Sequence, residues 1–441
     1  MTEEPFAFDP STKPDDDLAK KKLIRYIIIG SVAVVVIVAV IVIIVVCSGG
    51  GSSDGNKSED EDDVPVDPSY PNDPSKIYIT LKYNVPEDLR QVQLYNDLFY
   101  NYSQDISSIT IETKRVDIKA SYQFSSQGIK TVYIKFKKKM SSIGKLFLSC
   151  NLLFSADFTH FDTSELTDIS GLFLSASSLA SVNFGDNFST KKVTDMGLIF
   201  MNCVSLTSVD LSKFDTSSAK SFQNMFGGCE KLARLDLSSF DTSSVTDFSY
   251  MFSGCDVLTS LNIEKFNTKN AETMLEMFNE CYSLTDLRLT NFNTAKVYSM
   301  DRMFYNCQGL ISLDLSSFDT SSLQSAQRMF ANSLELKSIT QTFTSENLES
   351  TEGMFFKCRK LTSINLSGFK GEKLNDMSEM FSNCNELSLI DFSNLDFSTV
   401  TDIMSIFFGL PTTGTIKYNS AKMNSTILEE LPDGWTKADM K

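Results

Sequence analysis

A 26-residue period runs through most of this chain and constrains its fold more than any other feature. Cysteines fall at 203, 229, 255, 281 and 307 at one constant spacing, and Cys358 and Cys384 keep the same interval. The register extends back to Ala176 and Cys150 and forward through Ser333. Each register point sits in one phrase, as in Met225-Phe-Gly-Gly-Cys-Glu-Lys-Leu, Met251-Phe-Ser-Gly-Cys-Asp-Val-Leu and Met380-Phe-Ser-Asn-Cys-Asn-Glu-Leu. One such unit cannot bury its apolar face alone, so like units must stack and cover one another. Ten units run from Leu146 to Ser405, and a partial eleventh begins at Ile406-Phe407. No proline occurs between Pro86 and Pro411, which suits one uninterrupted body.

Within a unit, Leu206, Val209, Leu211 and Phe214 follow L-x-x-L-x-L-x-x-F, the strand segment of a leucine-rich repeat. One strand per turn is expected to pair in parallel with the next. In the second half, Val245, Phe248, Met251, Phe252, Cys255 and Leu258 recur at threes and fours, which predicts a short α or 3₁₀ helix. Ser244 with Asp247, and Thr399 with Asp402, have capping-box spacing at its start. Between the halves lies Phe-Asp-Thr-Ser, at Phe214–Ser217, Phe240–Ser243 and Phe318–Ser321; Phe points inward and Asp and Thr bond nearby backbone N–H groups. Upstream, Ile77–Tyr83, Ile106–Ile111 and Val132–Phe136 alternate apolar and polar residues, the pattern of half-buried strands. The expected fold is therefore an α/β-type leucine-rich-repeat solenoid over 146–410. A small β-sandwich-like capping module precedes it at 76–145, and a C-terminal cap follows at 411–441.

The N-terminus reads differently. Residues 26–47 hold no charge and would form a helix roughly 33 Å long, enough to cross a hydrocarbon core of about 30 Å. Lys20, Lys21, Lys22 and Arg25 precede this run and Glu59 to Asp63 follow it. The positive-inside rule then predicts a single-pass anchor in a lipid bilayer, with the 1–25 tail cytoplasmic and the C-terminus outside, at the cell surface. Residues 48–75 carry four prolines and eight acidic residues, the composition of an extended, self-repelling stalk.

The phrase MFxxCxxLxSLDLSxFDTSxVTDM, repeated over about 146–410, resembles the BspA-like leucine-rich-repeat surface proteins of bacteria and parasitic protists. Gly414–Tyr418 and Leu431–Trp435 are similar to the terminal cap of that group. The resemblance implies a cell-surface protein, with adhesion to host, matrix or cell-surface macromolecules as its role in some members. It implies no catalytic residues. The eighth unit, Met329–Gly353, departs from the pattern: it is shorter by a single position and lacks both the Cys and the Phe-Asp-Thr-Ser motif.

Charge and chemistry narrow the function further. Lys and Arg number 40 against 56 Asp and Glu, net −16, which disfavours nucleic acid as a partner. The single histidine, His160, has no triad or metal-motif context, and no nucleophile elbow or phosphate loop occurs, so no enzyme is expected. No cofactor or metal is expected either. Cys150, Cys203, Cys229, Cys255, Cys281, Cys307, Cys358 and Cys384 share one apolar register position, replaced by the small Ala176 and Ser333. They are read as a ladder of free core thiols, although up to three disulfides between adjacent turns would fit the spacing. The outward strand positions form an Asp/Asn stripe beside a Ser stripe. The stripe holds Asp157, Asp210, Asp236, Asp314 and Asp391, and Arg234, Asp286 and Arg288 interrupt the columns. These eight residues are the candidate binding face for a macromolecular partner, against a plain reading as a solvated sheet face. Asn56, Asn101, Asn187, Asn365 and Asn424 head N-x-S/T sequons and are candidate glycan acceptors.

Overall fold

The computed structural model describes residues 77–88, 91–341 and 343–441. The chain opens with β1 (Tyr78–Val85), β2 (Gln91–Gln93), a 3₁₀ turn at Tyr102–Gln104, β3 (Ile106–Ile111), β4 (Lys114–Val116), β5 (Ser121–Gln123) and β6 (Gly128–Phe136). In β1 the alternation read from sequence is real: Ile79, Leu81, Tyr83 and Val85 are buried, while Lys82 and Asn84 face out. The module does not sit on the stack as a separate sandwich. Its sheet runs β4-β3-β6-β1 and continues into β7 (Leu153–Asp157) and β8 (Ser181–Asn183), the first strands of the repeats. β1 pairs antiparallel with β7, Leu81 opposite Ala156. The ribbon of β2 and β5 lies beside this sheet, with the Tyr83 hydroxyl donating to Leu94 O at 2.6 Å.

The repeat strands continue as β9 (Ser260–Leu261), β10 (Asp286–Leu287), β11 (Ser312–Asp314), β12 (Ser338–Thr340), β13 (Ser363–Asn365) and β14 (Leu389–Asp391). All pairings among them are parallel and in register, as Ser312 with Ser338 and Asn365 with Asp391. They do not make one unbroken sheet. Among the described residues no strand forms between Asn183 and Ser260, and the rest fall into separate sheets. β15 (Thr413–Tyr418), the five-residue α1 (Ser425–Glu429) and β16 (Gly434–Asp439) follow, and the two strands extend the last sheet in parallel. Gly414 has no Cβ because the Trp435 ring occupies its place, 2.6 Å from where a Cβ would stand. The indole N–H donates to Pro411 O at 2.8 Å and pins this end.

The helical half of each unit is a correction. No α or 3₁₀ helix forms there; the fold is a β-solenoid of about ten turns with almost no helix. In Phe248–Cys255 every second N–H closes a tight turn: Met251 to Phe248 O, Ser253 to Tyr250 O and Cys255 to Phe252 O. The N–H groups between them leave the unit. Phe248, Tyr250, Phe252 and Gly254 donate to the carbonyls of Thr273, Leu275, Met277 and Asn279, all in the next turn of the stack. Flipping alternate peptides requires left-handed backbone, found here at Tyr250 (φ 59°) and Gly254 (φ 72°) and at matching positions along the stack. A helix satisfies its own backbone, whereas this arrangement joins turn to turn. The supposed capping pairs have another job: Asp247 and Asp402 accept the N–H groups of Ser249 and Met404, two residues on.

Side chains reinforce the stack in columns. Phe147, Phe173, Phe200, Phe226, Phe252, Phe278, Phe304, Phe330, Phe355, Phe381 and Phe407 stack ring on ring, at centroid separations between 5.4 and 6.1 Å. Offset parallel stacking suits their quadrupoles and excludes water from the axis. Beside them Cys203, Cys229, Cys255, Cys281, Cys307, Cys358 and Cys384 each point a thiol at the carbonyl of the stacked Phe one turn back, as Cys229 Sγ to Phe200 O at 3.1 Å. Ser333 makes the same bond with its hydroxyl at 2.8 Å, which explains why Ser can replace Cys in unit eight. All eight described cysteines, Cys150 included, are buried and free. Burial pushes the thiols upward, Cys229 to about 12.

The run at 26–47, with the 1–25 tail and 48–75 stalk flanking it, lies outside the described residues, as does Asn56. Among the described residues no helix is long and apolar enough to cross a membrane, so the expected transmembrane helix has no counterpart there.

Candidate functional site

The strand side presents the stripe. In β11 Leu313 is buried while Ser312 and Asp314 face solvent, and β9, β12 and β13 repeat the outward Ser. Where the outward residue is Asp or Asn, its side chain closes a turn as the strand ends. Asp157, Asp210, Asp236, Asp314 and Asp391 each accept through Oδ1 the backbone N–H two residues on, at 2.8–3.0 Å. Asn183 and Asn365 do the same. This is the Asx-turn geometry that short acidic and amide side chains favour. One carboxylate oxygen is thus spent on the fold. Bonds from Ser212 hold Asp210 below the usual carboxylate range, and bonds from Ser238 and Ser316 do so for Asp236 and Asp314.

The second oxygens meet different company. Asp157 Oδ2 accepts from Asn183 Nδ2 at 3.1 Å, and Asp391 Oδ2 pairs with Lys417 at 3.4 Å. Asp210 and Asp236 are exposed and lie in the stretch where no strand is assigned. Arg234 is exposed nearby. The candidate residues therefore do not converge. Asp157 and Asp391 stand nine turns apart, about 43 Å at strand spacing.

One group does come together. Arg288 reaches Glu264 at 3.3 Å and Asp286 at 3.7 Å, over a shallow depression lined also by Ser260, Leu261 and Asn262. Arg288 replaces the stripe's Asp/Asn and Asp286 the neighbouring Ser, so a cation interrupts the acidic row and an anion the serine row, with Glu264 beside them. Glu264 was not singled out from sequence, although it lies two residues past the column position of its turn. Among the described residues no set of three or more His, Cys, Asp or Glu side chains gathers as a metal site. His160 stacks on Tyr78 at 4.9 Å between rings, where the module meets the first turn.

A second charged column, on the Met-Phe side, was missed from sequence. Glu276 and Arg302 precede Met-Phe in adjacent units and pair at 3.0 Å. Arg328 bonds Glu352 at 2.7 Å and reaches Glu379 at 2.9 Å, two turns on. Gly353 stands between, its missing Cβ leaving room for the Arg328 stem. Burial raises the Glu276 carboxyl above its ordinary range, against the pull of Arg302. The signal was the left-handed position itself, where bulky charged residues replace the Gly or Asn usually favoured. The sequons Asn101, Asn187, Asn365 and Asn424 are all exposed, but the Asn365 amide oxygen is committed to its turn and that of Asn424 caps α1.

A family model described as "Mycoplasma protein of unknown function, DUF285" matches the chain four times, over residues 138–260, 221–343, 258–367 and 311–418. No curated protein matches. Among solved structures, an internalin (inlF) from Listeria monocytogenes is similar at 13% identity, covering 65% of this chain and 82% of that one, with a TM-score of 0.21. The functional domain of InlJ from the same organism, which includes a cysteine ladder, is similar at 12% identity, covering 71% and 76%, with a TM-score of 0.17.

Proposed function

The chain belongs to the DUF285 family, and from that premise and the geometry of the strand side we propose that it is a non-catalytic recognition protein of the cell surface. It binds a protein or other macromolecule across the solenoid face, as an adhesin does. The observation that carries this reading is the Arg288–Glu264–Asp286 group, where an exposed cation breaks the acidic row and an exposed anion the serine row beside it. The scaffold beneath is rigid: its backbone bonds are shared between turns, so the charges are held in place before a ligand arrives. Electrostatic matching across such a face selects a partner that offers both signs of charge.

The test is charge reversal. Arg288→Glu with Asp286→Lys, and separately Asp210, Asp236 and Asp314→Lys, are compared with the parent for binding to immobilised matrix proteins and to cells. A fall of tenfold or more in the first variant is expected, with circular dichroism unchanged. Unaltered binding by both folded variants removes the strand face as the site.

A further inference from the structure

A sheet edge is a row of free backbone groups, and this molecule keeps nearly all of its edges short. The edge strands β2, β4, β5, β8 and β9 to β13 are each two or three residues long. β4, at the outer edge of the first sheet, is Lys114-Arg115-Val116, whose adjacent cations repel a like strand. β16 is the exception. It spans six residues, Gly434–Asp439, and ends the sheet β13-β14-β15-β16 with one side unpaired.

The pairing on one side of β16 fixes which backbone groups lie on the other. Tyr418 O accepts the Met440 N–H at 2.7 Å, so the even-numbered residues of this stretch turn their N–H and C=O groups toward β15. Successive residues of a strand alternate, so Lys437 and Asp439 turn theirs outward. These outward groups have no backbone partner among the described residues. Both residues are exposed. Asp439 also accepts the Ser420 N–H at 3.1 Å and lies 3.6 Å from Lys441. The strand itself is held fast, since the Trp435 ring fills the place that a Cβ on Gly414 would take.

We propose that this edge pairs antiparallel with β16 of a second copy of the chain, joining two stacks tail to tail in a two-fold dimer. In an antiparallel pair, facing outward residues exchange both of their N–H···O=C bonds. With Ala438 on the two-fold axis, Lys437 of each copy faces Asp439 of the other. Both pairs then exchange backbone bonds, and the charges directly across each are opposite. Sliding the copies by one bonded pair sets Lys437 against Lys437 in one direction and Asp439 against Asp439 in the other, which like charge disfavours. The strand is therefore its own complement in a single register. A contact of this self-complementary kind closes at two copies and leaves no edge for a third. The axis stands perpendicular to the sheet, so the strand-side faces of both copies look the same way. The contact is apart from the Arg288 group and does not depend on it.

The test uses the full chain, kept in a mild non-ionic detergent because of its apolar run at 26–47. Sedimentation equilibrium is expected to show monomer and dimer in exchange. Lys437→Glu sets a carboxylate against Asp439 and is expected to weaken the dimer at least fivefold. Cross-linking then reads the register. The eight core thiols are buried, so the variants are made on a Cys47→Ser background. Ala438→Cys brings two thiols together across the axis, within the Cα separation of about 4.4–6.8 Å that a disulfide spans, and mild oxidation is expected to link them. Thr436→Cys places its two copies well apart along the strands and is expected to stay unlinked. A chain that remains monomeric at submillimolar concentration overturns the proposal. So does a dimer indifferent to Lys437→Glu, or one linked as readily through Thr436→Cys as through Ala438→Cys.

Discussion

The threonine of Phe-Asp-Thr-Ser shows how single residues hold this molecule together. Thr242 is 1% exposed. Its hydroxyl donates to Asn267 O at 3.1 Å and accepts the Asn267 N–H at 2.7 Å, closing both backbone groups of the next turn. Thr216, Thr268 and Thr163 repeat the bond to the turn ahead. Thr242→Val keeps the shape and leaves both groups unsatisfied, so it is expected to destabilise by about 2–3 kcal/mol in urea titration. The sequence reading placed this hydroxyl in its own turn. The Asp beside it was legible, because its bond spans two residues, as Asp241 to the Ser243 N–H. The Thr bond was not, because its partner belongs to the following repeat and is brought near only by stacking. The same holds for Glu264, whose partner Arg288 lies one turn on.

Among the elements, the phenylalanine column is the spine of the fold. Phe252 contacts Phe226 at 5.9 Å and Phe278 at 5.7 Å, with planes within 10° of parallel in both pairs. Phe252→Ala opens a cavity in mid-column and is expected to cost about 3–5 kcal/mol. In a stack whose turns touch only their neighbours, the damage stays local. Hydrogen exchange should therefore report faster amides in the turns on either side, with those of 143–149 unchanged; a uniform loss of protection would argue for one all-or-none unit. The helix expected here failed for a definite reason. Successive tight turns with alternating left-handed residues place apolar side chains at threes and fours, as a helix does. Side-chain periodicity alone does not separate the two.

On the scale of the whole molecule, the turn carboxylates make the stack acid-sensitive. Asp210, Asp215, Asp236, Asp241, Asp314, Asp319 and Asp396 are all held below the usual range by bonds from the residue two on. Lys139 and Ser164 take Asp162 down to about 2. A depressed folded value means stability that is present above the unfolded carboxylate pKa of about 3.9 and is lost as pH falls through the folded values. The urea midpoint is expected to fall steeply below about pH 4 and to go on falling toward pH 2. Asp162→Asn should shorten that last part of the fall. Glu276, raised by burial, runs the other way, its contribution fading as pH rises through its folded value. A midpoint flat between pH 5 and pH 2 would show that these bonds do not count toward stability.

From the sequence alone came the stacking of like units, the inward residues of each unit, the ladder position shared by the cysteines and the outward stripe of Asp and Ser. All follow from spacing, because burial recurs with the period of the turn. Only the tertiary structure decided where the backbone bonds go, that the Met-Phe half is a one-way ladder and not a helix, that the N-terminal strands share the first repeat sheet, and that Arg288 meets Glu264. A local pattern records which side chains are buried. It does not record which peptide faces which, since that partner is supplied by a neighbouring turn, a full repeat away along the chain.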